Sequence, residues 1–325
     1  MSNAQIAVLG TGAWGTALAI TLGRAAQGRG EAVALIARDA KRAAALAASR
    51  VSQHLPGVMI PPLVQIRDQV PAQADIVLLA CPLQHVRASV ARLPPNDAGL
   101  VLCCKGVETG TQLLGPEIIA SAAPRRRVAV LTGPNFAHEI AQQLPAAAVL
   151  ATSEGAWRAA LLTRLGTARL RLYGSADPIG CALGGAAKNV IAIAAGAVIG
   201  AGLGENARAG LITRGLAEIS RLAPALGGSA ETIAGLAGLG DLILTATGGS
   251  SRNYRTGLAL GQGMTPQLGA AVVEGIATAP ALLARARRCG IEMPITEAVS
   301  DLLAGVIDVP AAMTRLLSRS QRDEI

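Results

Sequence analysis

Ile6-Ala7-Val8-Leu9-Gly10-Thr11-Gly12-Ala13-Trp14-Gly15 joins a short apolar run to a Gly-x-Gly-x-x-Gly turn, and residues 16–24 continue with helical spacing. Four apolar residues closed by glycine suit a strand buried on both faces. Gly10 permits the tight turn, Gly12 lets the backbone approach a pyrophosphate, and Gly15 lets the helix pack closely on the strand. The helix N-terminus supplies N–H groups to the anion, so no side-chain charge is required. With a second apolar run at 32–36, the order strand, turn, helix, strand predicts a dinucleotide-binding βαβ unit.

Outward from that unit, short apolar runs at 76–80, 100–103, 128–131 and 146–151 alternate with helical stretches up to about Tyr173. This is the pattern of an α/β Rossmann domain with a mostly parallel sheet. After Pro178 strand-like runs disappear, and Ala/Leu/Ile-rich stretches such as 211–222 and 280–288 take over. An all-α substrate domain is expected there. Small and turn-forming residues at 174–178 place the boundary so that residues 1–177 bind NAD(P) and residues 178–325 form the helical catalytic half.

A chain of 325 residues with 2% aromatics must build its core from Leu, Ile, Val and Ala. The net charge of +8 fits anionic ligands of several kinds. The basic run Arg125-Arg126-Arg127 lacks interleaved aromatics for base stacking, so it reads as a solvated strand entrance and nucleic acid is not expected. Five cysteines, Cys81, Cys103, Cys104, Cys181 and Cys289, show no metal-ligand spacing and read as buried thiols in a reducing compartment. Met1-Ser2-Asn3 leads directly into the first strand without a signal-peptide pattern, which predicts a cytoplasmic protein. The stretch 190–203 is too short to span a bilayer, is broken by glycines, and reads as a buried helix with no membrane insertion.

Arg38-Asp39 follows the second strand. An arginine there favours the 2′-phosphate of NADP(H) and a carboxylate the ribose hydroxyl of NAD(H). Asp39 has the alternative of capping the next helix, so NADP(H) is favoured, with NAD(H) as the alternative. Hydride transfer to a ketone needs a proton donor. All three histidines, His54, His85 and His138, lie in the first half. Lys188 stands out in Leu183-Gly184-Gly185-Ala186-Ala187-Lys188-Asn189-Val190-Ile191, where burial disfavours the charged ammonium; the competing reading is a lysine that snorkels. Asp241 in Gly238-Leu239-Gly240-Asp241-Leu242 is either a partner for a lysine or a helix cap. Ser251-Arg252-Asn253 offers a hydroxyl, a cationic fork and an amide that match phosphate oxygens.

These segments, together with the glycine turn, Lys105-Gly106-Val107-Glu108, Gly133-Pro134-Asn135-Phe136-Ala137, Asn206-Ala207-Arg208, residues 211–218, Val272-Val273-Glu274-Gly275 and Glu292-Met293-Pro294-Ile295, run nearly end to end. In that order they closely resemble bacterial NAD(P)-dependent glycerol-3-phosphate dehydrogenase. The resemblance implies an oxidoreductase that interconverts dihydroxyacetone phosphate and glycerol 3-phosphate and supplies phospholipid synthesis. It implies that Lys188 exchanges the proton, with Asn189, Asp241 and Thr245 around it. Lys105, Gly133, Asn135, Lys188, Asp241, Ser251, Arg252 and Asn253 would contact the substrate. Gly10, Gly12, Ala13, Trp14, Gly15, Arg38, His54, Lys105, Ala137, Arg252, Val272 and Glu274 would contact the cofactor. A homodimer is expected by analogy alone, and hydride transfer with a lysine acid requires no metal.

Leu83-Gln84 after Pro82, where the family commonly has Ser, and Ile199, where Asp is common, depart from the pattern without replacing a catalytic position. Two other readings remain open: another two-domain dehydrogenase of the 3-hydroxyacid or 6-phosphogluconate type, and an NADP-binding sensor without turnover.

Overall fold

The computed structural model describes residues 4–28, 30–265 and 272–318; the N-terminal reading at Met1-Ser2-Asn3 lies outside them. The chain divides into two compact units, residues 1–105 with 113–182, and residues 106–112 with 183–325.

The first unit is built on eight strands: β1 (Ala4–Leu9), β2 (Ala32–Ile36), β3 (Val64–Arg67), β4 (Ile76–Leu79), β5 (Gly99–Leu102), β6 (Val128–Thr132), β7 (Ala146–Ala151) and β8 (Leu170–Ser175). They lie in the order β3-β2-β1-β4-β5-β6-β7-β8. All neighbours are parallel except β6 and β7. The apolar runs put both faces of β2, β4 and β5 in the core, as a sheet covered by helices on both sides requires. The chain winds from β1 through β2 to β3, then restarts with β4 on the other side of β1, which makes the C-terminal end of β1 a topological switch point.

Two strands escape the sequence reading. β3 and β8 are the edges of the sheet, and their sequences, VQIR and LRLYGS, mix charge and polarity with apolar residues. An edge strand has one flank in solvent, so it needs no continuous apolar run. On β8 the Arg171 guanidinium lies 5.2 Å from the Tyr173 ring centroid. The Arg125–Arg127 run is also more than a solvated entrance. Arg126 donates to Asn96 Oδ1 and to the Ala98 and Pro94 carbonyls, and Arg127 covers the Trp157 ring at 5.0 Å.

Among its described residues from 183 on, the second unit consists of helices joined by turns, without a strand, and residues 106–112 add a non-helical segment. Pro178–Gly200 is long and apolar enough to cross a membrane by length and composition, but 89% of its most apolar window is buried. Its partner is the helix Arg252–Gly261, and glycines set their separation. A Cβ on Gly196 or Gly200 would come within 2.0 Å of the Tyr254 carbonyl or 2.2 Å of the Leu258 carbonyl. Reciprocally, a Cβ on Gly257 or Gly261 would come within 1.9 Å of the Ile193 carbonyl or 2.2 Å of the Ala197 carbonyl. With so few aromatics, this unit gains its packing by bringing backbones together, which maximises dispersion contact.

The helix expected from Pro280 instead begins at Glu274 and carries Pro280 inside it. Buried Gly275, Thr278 and Ala279 hold the extra turns, so tertiary packing outweighs the proline penalty. The cysteines are corrected as well. Only Cys103 and Cys181 are buried, and Cys81, Cys104 and Cys289 are half-buried. Burial pushes the Cys181 thiol up to about 12 and Cys103 higher still.

Candidate active site

In the first unit the glycine turn closes β1 against β4. Gly10 has φ +123°, and a Cβ there would lie 2.8 Å from the Ala80 carbonyl; a Cβ on Gly15 would lie 2.0 Å from the Gly10 carbonyl. Gly12 differs, because a Cβ on it meets nothing within 4 Å. The turn is therefore packed where it touches the sheet and open at the helix N-terminus, the arrangement an approaching anion needs. The helix Ala13–Gln27 carries no acidic residue in its first turn. Trp14 and Ala137 pack on the core of this unit, so their side chains serve the scaffold.

Two hydroxyls brace the turn: Thr16 Oγ1 and Ser52 Oγ donate to the Thr11 carbonyl at 3.3 and 3.4 Å. Ser52 also accepts from the His54 N–H at 3.3 Å, which ties the exposed His54 loop to the turn. Nothing in the sequence singles out Ser52. Beyond β2, Asp39 accepts from the Arg42 N–H at 2.8 Å and caps the helix Ala40–Ser49. Its carboxyl is held below the ordinary aspartate value, mainly by that backbone hydrogen bond. Arg38 lies 3.6 Å from Asp39 with its side chain 72% exposed. The open choice at Asp39 is thus resolved toward the cap.

A second polar group forms after β6. Lys105 Nζ donates to the Gly133 carbonyl at 3.4 Å, and Asn135 Nδ2 donates to the Ala147 carbonyl at 3.1 Å. Asn135 Oδ1 is buried without a hydrogen-bond partner. A buried acceptor left unpaired costs about 1–3 kcal/mol, which a ligand donor would recover.

The second unit assembles the remaining residues around Lys188, which is 7% exposed. Its Nζ lies 2.9 Å from Asp241 Oδ1 and donates to Thr245 Oγ1 at 2.6 Å. Thr245 Oγ1 in turn lies 2.6 Å from the Asp241 carbonyl. Asp241 is 1% exposed and opens the helix Asp241–Ala246, directly after a π-helical turn at Leu236–Gly240. That turn brings Asp241 under the lysine, because a Cβ on Gly184, one helical turn before Lys188, would lie 2.7 Å from the Ala237 carbonyl. The sequence reading weighed burial alone, which disfavours an ammonium; the structure adds an adjacent carboxylate, which favours it. The lysine does not snorkel, and Asp241 is its partner instead of a cap.

Asn189 Nδ2 donates to Glu274 Oε2 at 3.1 Å, Asn253 Nδ2 donates to Asn189 Oδ1 at 2.8 Å, and the Gly275 N–H donates to Asn253 Oδ1 at 3.0 Å. Ser251 is buried, and its Oγ accepts from the Tyr254 N–H as the cap of Arg252–Gly261. Arg252 is exposed in the first turn of that helix, and Val272 is 49% exposed. Two further carboxylates of the quoted motifs are buried, Glu108 and Glu218. Glu218, 2% exposed, accepts from the Ile295 and Thr296 N–H groups at 2.6 and 3.3 Å and so caps the helix Pro294–Leu303. Its position with Gly215, Ile219 and Leu222 on one buried helical face is the sequence signal that could have marked it.

Residues 5–157 match the family model for the N-terminus of NAD-dependent glycerol-3-phosphate dehydrogenase, and residues 177–314 match that for its C-terminus. The chain belongs to this family. The glycerol-3-phosphate dehydrogenase [NAD(P)+] of Acidiphilium cryptum is 65% identical to it over 99% of both chains. That of Rhodospirillum rubrum is 49% identical over 98% of this chain and 94% of the relative. The crystal structure of glycerol-3-phosphate dehydrogenase from Coxiella burnetii superposes with a TM-score of 0.89 at 36% identity, covering 97% of this chain and 98% of that one. As a family member the protein is an NAD(P)-dependent dehydrogenase with a Rossmann-type domain followed by a helical one.

Proposed function

We propose that the protein interconverts dihydroxyacetone phosphate and sn-glycerol 3-phosphate, with Lys188 exchanging the proton at the carbon-2 oxygen. The observation that carries this reading is the buried contact of Lys188 with Asp241 and Thr245. The nicotinamide cofactor supplies or accepts the hydride. The open approach at Gly12 and the acid-free first turn after it fit its pyrophosphate. In the reducing direction the Lys188 ammonium donates a proton to the oxygen that becomes anionic, and the amine left behind stays beside the Asp241 carboxylate. That carboxylate favours reprotonation and so keeps the lysine an acid. Thr245 and Asp241 fix where two of the three N–H bonds point.

For the substrate, Arg252 offers a planar fork to the phosphate, with Ser251 and Asn253 beside it in sequence. Lys105, Gly133 and the unpaired Asn135 Oδ1 supply further groups. For the cofactor, Gly10, Gly12, Ala13, Trp14 and Gly15 form the turn, with His54, Ala137, Val272 and Glu274 as further contacts. Because Asp39 already caps a helix, the exposed Arg38 guanidinium favours the 2′-phosphate, and we assign NADP(H) over NAD(H). A cytoplasmic enzyme without membrane insertion that feeds phospholipid synthesis, acting as a homodimer, completes the reading.

The test follows nicotinamide absorbance with purified protein, NADPH or NADH, dihydroxyacetone phosphate and a panel of non-phosphorylated ketoacids. Oxidation confined to dihydroxyacetone phosphate and faster with NADPH is expected. Turnover of a ketoacid alone, or tight NADPH binding without turnover, would overturn it.

A further inference from the structure

The chain Gly275–Asn253–Asn189–Glu274 has a direction that its ends dictate. A backbone N–H can only donate, so Gly275 fixes Oδ1 as the near atom of Asn253. The Asn253 amide must then present Nδ2 to Asn189, whose Oδ1 accepts at 2.8 Å. That leaves Asn189 Nδ2 facing Glu274 Oε2 at 3.1 Å, and an ionised carboxylate can only accept. Every donor meets an acceptor, and reversing any one amide puts like against like at both of its contacts. Gly275 makes the approach possible, since a Cβ there would lie 2.8 Å from Asn253 Oδ1, 2.9 Å from the Asn189 carbonyl and 2.7 Å from Ile193 Cδ1. Asn189 and Asn253 are 2% and 8% exposed, so water does not readily replace a lost partner.

We infer that Asn253 and Glu274 are positioning residues that hold the Asn189 amide in place next to Lys188, and that they do so as one relay with the Gly275 N–H. This rests on the proposed reaction and deepens it. Asn253 then works chiefly through Asn189 instead of through the substrate phosphate, and the start of the helix Glu274–Arg288 is tied to the helix that carries the lysine. The relay carries no net proton transfer; it orients dipoles.

The relay is testable by breaking it at one end and rebuilding it in reverse. In Asn253→Asp the Gly275 N–H keeps an acceptor, but the second carboxylate oxygen faces Asn189 Oδ1 and forces that amide to turn. Its oxygen then meets the Glu274 carboxylate. Glu274→Gln supplies a donor at that point, so the double variant rebuilds the relay with Asn189 reversed at both contacts. In Asn253→Asp the relay is broken, and kcat for dihydroxyacetone phosphate with NADPH falls about tenfold or more. Glu274→Gln, whose amide oxygen still accepts from Asn189, sets its own kcat baseline, and KM for NADPH is read with it because Glu274 is also assigned to the cofactor. The double variant returns to within about threefold of Glu274→Gln alone, a coupling that independent sites do not show.

Melting temperatures of the four proteins are read alongside. A loss in Asn253→Asp that persists unchanged in the double variant overturns the relay and returns Asn253 to direct substrate contact. Recovery of melting temperature without recovery of kcat also overturns the positioning role, because it leaves a purely structural one. A wild-type protein inactive on dihydroxyacetone phosphate would instead sink the assigned reaction, and the melting temperatures alone would then decide whether the four groups act as one relay.

Discussion

Glu218 offers a quantitative test of how the helical unit is held together. Burial pushes its carboxyl from 4.5 up to about 7, against the Ile295 and Thr296 N–H groups, which pull it down. At about 1.4 kcal/mol per pKa unit, the difference corresponds to about 3 kcal/mol. The sign follows from linkage. Below pH 4.5 the carboxyl is protonated in both states and costs nothing. Between 4.5 and about 7 the unfolded chain releases the proton while the folded one keeps it, so stability falls as pH rises. Above about 7 the full penalty is present.

Glu218→Gln keeps an amide oxygen for the Ile295 N–H and removes the titration. The difference in unfolding free energy, wild type minus variant, should therefore decline by about 3 kcal/mol between pH 4.5 and 8. Trp14 and Trp157 both lie in the first unit, so indole fluorescence does not report the relevant helices. Hydrogen exchange in a peptide spanning residues 294–303 does, with wild type and variant compared at each pH so that intrinsic exchange cancels. Parallel pH dependences for the two proteins would refute the reasoning, because they would mean that Glu218 does not titrate differently on folding.

Lys188→Ala should lower turnover by about a thousandfold, the middle of the range for a lost general acid, while NADPH binding followed by fluorescence survives; unchanged kcat would remove the assigned role. The same change strands Asp241 in the interior and should cost about 3–5 kcal/mol of stability, read by urea titration. Arg38→Ala should raise KM for NADPH about tenfold or more and leave KM for NADH nearly unchanged, the loss expected for a charge-assisted contact to a 2′-phosphate; equal effects on both cofactors would count against NADP(H). Gly257→Ala drives a methyl into the Ile193 carbonyl, and a loss of about 3 kcal/mol or more in unfolding free energy is expected; an unperturbed midpoint would contradict the close approach of the two helices.

The glycine turn, the central strands and the change to an all-helical second half were legible because their signals are local. Gly10 needs its φ, β1, β2, β4 and β5 need apolar side chains, and Lys188 and Asp241 are conspicuous charges in apolar segments. Edge strands β3 and β8 were not legible, since a strand with one flank in solvent keeps no continuous apolar pattern. The chain alone also left Asp39 between two roles and Lys188 between a proton donor and a snorkelling stem. For Lys188 the choice depends on which atoms lie within about 3 Å, and such neighbours come from residues 53 positions away for Asp241 and 57 for Thr245. Sequence by itself thus determined which groups are present and the secondary structure that carries them. Tertiary structure decided their partners, and with them the carboxylate beside Lys188 and the orientation of Asn189, because hydrogen bonding and desolvation act through distance in space and not along the chain.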